Sequence, residues 1–250
     1  MKKYKALFLD VDGTTVIHGV DNLPSPGVTQ AVKRAMQAGI MVSLATSRPP
    51  KSVIHIIEHL GLNGYCVLSS GAQIYDPKSK KNIIEKVFPK SAMRHIVAAA
   101  KRYKSALSIY DGEKEFIYDG THLPKKILGM YFPQVDPPVL QDITKKLTGV
   151  TGIALHRMEA WDPRYECLDV VNAEASKLHG IVEVSRLTGI KPHEIIGIGD
   201  GYNDFPLLLA CGLKIAMGNA VQELKDIADF VAPSVSDDGV ATVIEKFILS

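Results

Sequence analysis

The chain has 250 residues, 46% hydrophobic and 22% charged, and its 29 basic and 27 acidic side chains leave a formal charge of +2. That length buries a sizeable core, either as one large domain or as a core with a smaller insert. The basic residues are scattered, which gives no reason to expect nucleic acid or an anionic membrane as partner, and no 18-residue apolar run occurs.

Strand and helix patterns alternate from the start. The apolar stretch of "MKKYKALFLDVDG" is too short for a signal peptide and is interrupted by Asp10. Within it "YKALFL" reads as a buried strand and "DGT" as turn chemistry. A helix over 26–38, stopped by Gly39, leads into the apolar strand "IMVSLAT". The helix "KSVIHIIEHLGL", with Gly61 after its last turn, precedes the strand "YCVLSS".

From about Lys81 to Asn172 the pattern changes. "SALSIYDG", "KEFIYDG", "TGIALHRM" and "YECLDVV" are period-two or mixed segments, accompanied by the helical candidates "KSAMRHIVAAAKRY" and "PPVLQDITKKL". "YDGEKEFIYDG" has the look of an antiparallel hairpin, while 119–138, with four prolines, receives no assignment. The alternation then resumes through the helix "ASKLHGIVEVSRLTGI", the strand "EIIGIGD", the helix "NDFPLLLACG", the strand "LKIAMG" and the closing "AVQELKDIA", "DFVA" and "DDGVATVIEKFIL". Such a chain predicts an α/β fold, a Rossmann-like doubly wound parallel sheet with an inserted smaller α+β domain. The expected division is a core of 1–80 and 173–250 around an insert of 81–172.

Cys66, Cys167 and Cys211 form no CxxC pair and suit neither zinc nor a disulfide framework. The expectation is three small apolar core residues in a reducing, cytoplasmic setting. His55 and His59 stand at i, i+4, but Ile56 occupies the position where a zinc-protease helix needs Glu, so they read as surface or partner-packing residues.

In an open parallel sheet, ligands sit beyond the carboxyl ends of the strands. The polar residues there are Asp10 and Asp12, then Thr46, Ser47 and Arg48, then Ser69 and Ser70, then Asp200, Asn203 and Asp204. If the first strand runs on to Asp12, its carboxylate shares a face with that of Asp10, and a divalent cation relieves their repulsion. The same Asp and Gly are also ordinary turn residues. Asp10, Asp12 and Asp200 form an oxygen-rich set of the kind Mg²⁺ prefers, with no His or Cys for zinc. With hydroxyls from Thr46 and Ser47 and a lysine nearby, the set is equipped for phosphoryl transfer through an aspartyl phosphate. "GIGDGY" has Tyr202 where a dinucleotide fingerprint needs its third Gly, and no GxxxxGK[ST] occurs.

"DVDGT" at 10–14, Thr46 ending the second strand, Lys177 in "ASKLHG" and "GDGYND" at 199–204 occur in the order and approximate spacing of the haloacid dehalogenase superfamily, which the chain resembles over essentially its whole length. The long insert and the tail "AMGNAVQELKDIAD…DDGVA" are similar to the Cof-like branch with a type C2 (IIB) cap. The resemblance implies a Mg²⁺-dependent phosphoric monoester hydrolase acting on small phosphorylated metabolites, sugar phosphates favoured, as a monomer or small homo-oligomer without nucleic acid or membrane partners. It implies Asp10 as nucleophile and Asp12 as general acid and then base. Thr46, the Ser47 amide and Lys177 are implied to bind the phosphoryl group, with Asn203 touching phosphate or metal-bound water and Asp204 orienting Lys177. Asp10, Asp200 and the Asp12 carbonyl are the implied metal ligands.

Plainer readings stand beside these. Thr46 suits a strand by β-branching, Asp204 suits a helix cap, Lys177 suits a solvated helix face, and Arg48 either touches phosphate or pairs with acids. His156, Arg157, Trp161 and Tyr165 are candidates to face substrate, with packing or surface positions the favoured reading. Three departures from the family pattern bear on substrate fit: Ser47 for the Gly of "TGR", "SSGA" at 69–72 for "NGA", and Thr15 for a common Leu, which leaves a polar atom to be satisfied. A phosphosugar mutase of the phosphomannomutase type and a catalytically silent binding or regulatory protein are the competing functions.

Overall fold

A computed structural model of the chain describes residues 3–17, 23–160 and 162–250. It divides into two compact units, Met1–Ile84 with Lys177–Ser250, and Glu85–Ser176. The chain begins with β1 (Ala6–Leu9), α1 (Pro26–Gln37), β2 (Met41–Leu44), α2 (Ile54–Leu60), β3 (Cys66–Leu68), β4 (Gln73–Asp76) and β5 (Lys81–Glu85). The second unit holds α3 (Lys90–Tyr103), β6 (Ser108–Tyr110), β7 (Glu115–Ile117), β8 (Gly129–Val135), α4 (Pro137–Leu147), β9 (Ile153–Glu159) and β10 (Glu166–Asn172). The first then resumes with α5 (Lys177–Thr188), β11 (Ile195–Gly199), α6 (Phe205–Leu209), β12 (Leu213–Ala216), α7 (Gln222–Asp226), β13 (Phe230–Val231) and α8 (Gly239–Ile244).

In the first unit every residue of β1 and β11 is buried, so both faces of these strands are covered, as a parallel sheet between helix layers requires. The strand order is β13-β12-β11-β1-β2, and each pair is parallel. β3 adjoins the far edge through a parallel bridge between Ala45 and Val67, then pairs antiparallel with β4 in a small sheet with β5. α1 packs with α2 and α8, and α5 with α6. The start of α1 is fixed locally: the Ser25 hydroxyl accepts from the Val28 amide at 3.0 Å and Pro26 fills the first helical position, a cap worth about 1 kcal/mol. Gly180 lets α5 lie on β3, because a Cβ there meets a methyl of Val67 at 2.3 Å. Phe8, Leu7, Leu9 and Leu44 are fully buried, each contributing about 1.5–3 kcal/mol of apolar transfer.

This order carries the functional consequence. The chain moves outward from β1 through β2 to β3, then returns through α5 to β11 on the other side of β1 and continues to β12 and β13. The direction of winding therefore reverses between β1 and β11, the place where such sheets open a crevice at their carboxyl ends. Asp10 follows β1 and Asp200 follows β11, with the Asp10 amide donating to the Ile198 carbonyl at 3.0 Å.

The second unit is an antiparallel sheet, β7-β6-β8-β10-β9, with α3 and α4 packed together. Its core draws Ile109, Met130, Phe132, Leu168 and Val170 from the sheet and Ala92, Ile96, Leu140 and Ile143 from the helices. α3 and α4 match the two helical candidates of the sequence, and the hairpin is present as β6 and β7. β8 lies within the proline-bearing 119–138 stretch, and β4 and β5 are strands that the sequence pattern does not mark. All three cysteines are free and buried; burial pushes the Cys66 thiol up to about 12, where it is a packing group rather than a nucleophile. Among the described residues no helix is long and apolar enough to cross a membrane.

Candidate active site

β1 ends at Leu9, so the strand does not run on to Asp12, and Asp10 and Asp12 do not share a strand face. Asp10 is 4% exposed, and its Oδ1 accepts from Lys177 Nζ at 2.5 Å. Lys177, the first residue of α5, is 2% exposed and also donates to Asp204 Oδ1 at 2.5 Å. The second oxygen of Asp204, Oδ2, accepts from the amides of Asp200 and Gly201 at 2.9 and 3.0 Å. Gly199 is required for this approach, since a Cβ there lies 2.5 Å from Cβ and Cγ of Asp204. Asp200 Oδ1 accepts from the Thr14 hydroxyl at 2.8 Å. The turn after β1 and the turn after β11 are thus joined by side chains.

Asp10, Asp200 and Asp204 offer carboxylate oxygens within 4.8 Å of one another, a cluster of described residues that contains one compensating cation, Lys177. Burial, then the charges of Asp204 and Asp200, hold the Asp10 carboxyl well above the usual carboxylate range despite Lys177. For Lys177, burial works against the charged form, but Asp10 and Asp204 outweigh it and raise its pKa. The donor set is all oxygen, without His or Cys, and fits a hard divalent cation. Asp204 is tied through Oδ1 to the Lys177 ammonium and through Oδ2 to two backbone amides, whereas the Asp200 carboxylate meets the neutral Thr14 hydroxyl, which makes Asp200, with Asp10, better suited to hold it.

The carboxylate of Asp12 is not part of that cluster. Arg48 takes it in a two-pronged ion pair, Nε to Oδ2 at 2.8 Å and Nη2 to Oδ1 at 2.6 Å, so the acid pairing considered for Arg48 is present. The Arg48 amide donates to Thr46 Oγ1 at 3.1 Å, and Thr46 is buried. Asn203 Nδ2 donates to Ser47 Oγ at 3.4 Å. The sequence candidates therefore fall into three linked groups: Asp10, Lys177, Asp204 and Asp200; Asp12, Arg48 and Thr46; Ser47 and Asn203.

The departures from the family pattern stand in three different local settings. Ser47 is not among the residues with positive φ, so this backbone does not call for glycine there. Thr15 Oγ1 donates to the Asp10 carbonyl at 2.5 Å, so its polar atom is satisfied. Ser69 and Ser70 have φ of 52° and 54°, a left-handed pair costing about 1–3 kcal/mol each. The Ser69 amide donates to the Arg48 carbonyl at 3.0 Å and the Ser70 amide to the Thr46 carbonyl at 3.1 Å. Arg157 pairs with Glu166 and is half-exposed, Arg164 lies over the Tyr165 ring, and Trp161 lies outside the described residues. Sequence reasoning did not single out Thr14 or Asn219; the available signal was their position at the carboxyl edge of the parallel sheet.

Comparison with known proteins bears on the same residues. A family model described as haloacid dehalogenase-like hydrolase matches residues 7–154 and 124–244. The phosphoglycolate phosphatase of Methanobrevibacter smithii is 27% identical over 250 residues, covering 98% of each chain. The 5-amino-6-(5-phospho-D-ribitylamino)uracil phosphatase YcsE of Bacillus subtilis is 23% identical over 251 residues, covering 98% of this chain and 96% of its own. The solved structure of BT1666 from Bacteroides thetaiotaomicron superposes with a TM-score of 0.82 at 25% identity, covering 98% of this chain and 95% of the other. With its acidic cluster at the reversal of winding and a family match reaching from β1 to α8, the chain belongs to the haloacid dehalogenase-like hydrolases, in their Cof-like branch.

Proposed function

We propose that the chain is a Mg²⁺-dependent phosphatase that hydrolyses small phosphorylated metabolites, sugar phosphates foremost, through a phospho-aspartate on Asp10, with the 81–172 segment as the family's cap domain. The observation that carries this is the buried ammonium of Lys177, 2.5 Å from both Asp10 and Asp204, in the same oxygen cluster as Asp200. A lysine so placed neutralises charge where a phosphoryl group meets a carboxylate. The two curated relatives described above are named for small phosphorylated substrates, which supports the same class here.

Mg²⁺ held by the Asp10 and Asp200 carboxylates and the Asp12 carbonyl supplies charge neutralisation on the phosphoryl oxygens when bound. Lys177 occupies Oδ1 of Asp10, which leaves Oδ2 to attack phosphorus. The new bond from Oδ2 to phosphorus forms as the ester oxygen departs, and Asp12 gives that oxygen its proton. Asp12 then takes a proton from water, whose oxygen attacks phosphorus and returns Asp10 to its carboxylate, releasing inorganic phosphate. Thr46, the Ser47 amide and Asn203 hold phosphoryl oxygens, and Asp204 fixes the Lys177 ammonium.

The test is phosphate release from a panel of phosphorylated metabolites with Mg²⁺, ranked by kcat/KM, with an acid quench to trap the acyl phosphate and peptide mass spectrometry to locate it. Activity lost in chelator and in Asp10→Asn, with the adduct on Asp10, is the expected result. Turnover that survives both treatments overturns the proposal.

A further inference from the structure

Asn219 sits just beyond β12 and is exposed, so packing does not dictate an amide at this position. It nevertheless makes three hydrogen bonds, each to a different loop at the carboxyl edge of the sheet. Its Nδ2 donates to the Gly13 carbonyl at 2.8 Å, in the turn after β1, and reaches Asp200 Oδ2 at 3.5 Å, after β11. Its Oδ1 accepts from the Val235 amide at 2.9 Å, in the loop after β13. These partners fix the amide orientation: oxygen faces an N–H, and nitrogen faces a carbonyl and a carboxylate. The group turned toward Asp200 is a donor, so Asn219 does not ligate a cation itself.

The backbone that presents Asn219 is held independently of its side chain. Met217 donates to the Gly199 carbonyl at 3.0 Å, Gly218 to the Pro233 carbonyl at 3.2 Å, and Val221 to the Asp200 carbonyl at 3.0 Å. Lys225 Nζ closes the loop on the Gly218 carbonyl at 2.7 Å. Truncating the side chain therefore removes the contacts to Gly13 and Asp200 while the loop stays in place. With Thr14 on Oδ1 and Asn219 on Oδ2, Asp200 is oriented through both oxygens by neutral donors. The shorter bond to Gly13 keeps the turn that carries Asp10 and Asp12 beside it.

We propose that Asn219 is a positioning residue that sets the affinity of the acidic cluster for Mg²⁺, by fixing Asp200 and the Asp10 turn relative to each other without touching metal or substrate. A hydrogen-bond partner that orients a ligating carboxylate typically changes metal affinity by about 10–100-fold when removed. The inference rests on the reading of Asp200 as a metal ligand, and a separate arm of the experiment tests that reading.

Mg²⁺ alone is titrated calorimetrically into the full-length protein, with no substrate, and the metal-free Tm is recorded for each variant. Asn219→Ala is expected to raise the Kd for Mg²⁺ by roughly 10-fold with the metal-free Tm changed by no more than about 2 °C. Asn219→Gln, which retains the amide but displaces it by one methylene, is expected to weaken binding in the same direction and serves if the alanine variant does not fold. Asp200→Asn is expected to abolish binding; if it binds Mg²⁺ like the parent, the reading of the site fails and the inference with it. If Asp200→Asn loses the metal while the Asn219 variants keep the parental Kd within about twofold, whatever their Tm, the inference alone is overturned.

Discussion

Arg48 and Asp12 face each other through two hydrogen bonds of 2.6 and 2.8 Å, a fork on a carboxylate that a lysine has no geometry to reproduce. The Arg48 Nη1 also donates to the Ser52 carbonyl at 3.1 Å, which holds the guanidinium against the loop that carries it. If Asp12 is the proton donor, this fork aims it. Asp12→Ala is expected to lower kcat by about 10²–10⁴ on alkyl phosphates, with Arg48→Lys losing a smaller part of the same factor. In kcat/KM, which reports the step in which the ester oxygen leaves, the deficit of both variants should shrink on an aryl phosphate whose leaving group needs no proton. Equal kcat/KM deficits on the two kinds of ester rule out Asp12 as the acid of that step.

Lys177 is the cation that makes the buried cluster tolerable. Lys177→Met leaves Asp10 and Asp204 without their common partner, at a cost of about 3–5 kcal/mol in chelator, or a fall in Tm of roughly 6–20 °C, together with loss of turnover. Thermal unfolding and phosphate release on the same preparation check both halves. A variant with parental stability contradicts the burial of an interacting charge.

The pH dependence follows from Asp10. Its carboxyl is raised in the folded protein, first by burial and then by Asp204 and Asp200, so the folded state holds the proton more tightly than the unfolded chain does. The stability it contributes is complete below the unfolded value of about 3.9 and is lost as pH rises through the raised folded value. In chelator, Tm should fall over that window. A bound Mg²⁺ favours the ionised form, so the increment in Tm on adding Mg²⁺ should grow with pH across the same window and vanish in Asp10→Asn. A Mg²⁺ increment that does not vary with pH is the contrary result. Lys177, raised by Asp10 and Asp204, keeps its contribution below its unfolded value of about 10.4, so it does not confuse the acid range.

Gly199 is a local test of the same cluster. Gly199→Ala places a methyl 2.5 Å from Asp204 Cβ and Cγ, and something must move. A cost of about 1–3 kcal/mol, or roughly 2–12 °C in Tm, is expected, with kcat falling further than substrate KM rises because Asp204 carries the ammonium of Lys177. Differential scanning and steady-state kinetics on one variant separate the two effects. Unchanged kcat in a destabilised protein removes Asp204 from the positioning of Lys177.

Much of the fold was legible because periodicity is a local property. Lys90–Tyr103 and Pro137–Leu147 carry their apolar stripes within one helix, and the sequence marks both to the residue. β8 was illegible because Pro133 and a left-handed Gln134 interrupt its alternation, so its strand character comes from pairing with β6 and β10. The candidate site divides in the same way. The acids at 10, 200 and 204 stand out as carboxylates ending apolar strands, but the burial of Lys177 does not: a lysine opening a helix reads as solvated until residues from two distant turns close over it. The partner of Asp12 was hidden for the same reason, since β1 stops at Leu9 and what Asp12 meets is decided by a loop 36 residues away.

The central position of β1 sets a timetable for synthesis. One edge of the strand is covered early by Met41–Leu44, but the other waits for Ile195–Ile198, about 190 positions later. At 5–20 residues per second a ribosome needs roughly 10–40 s to deliver that partner, and during this interval a short, wholly apolar strand has an unsatisfied row of amides and carbonyls. A nascent chain halted before residue 195 should therefore engage holdase chaperones strongly, and should release them once the second half of the sheet emerges.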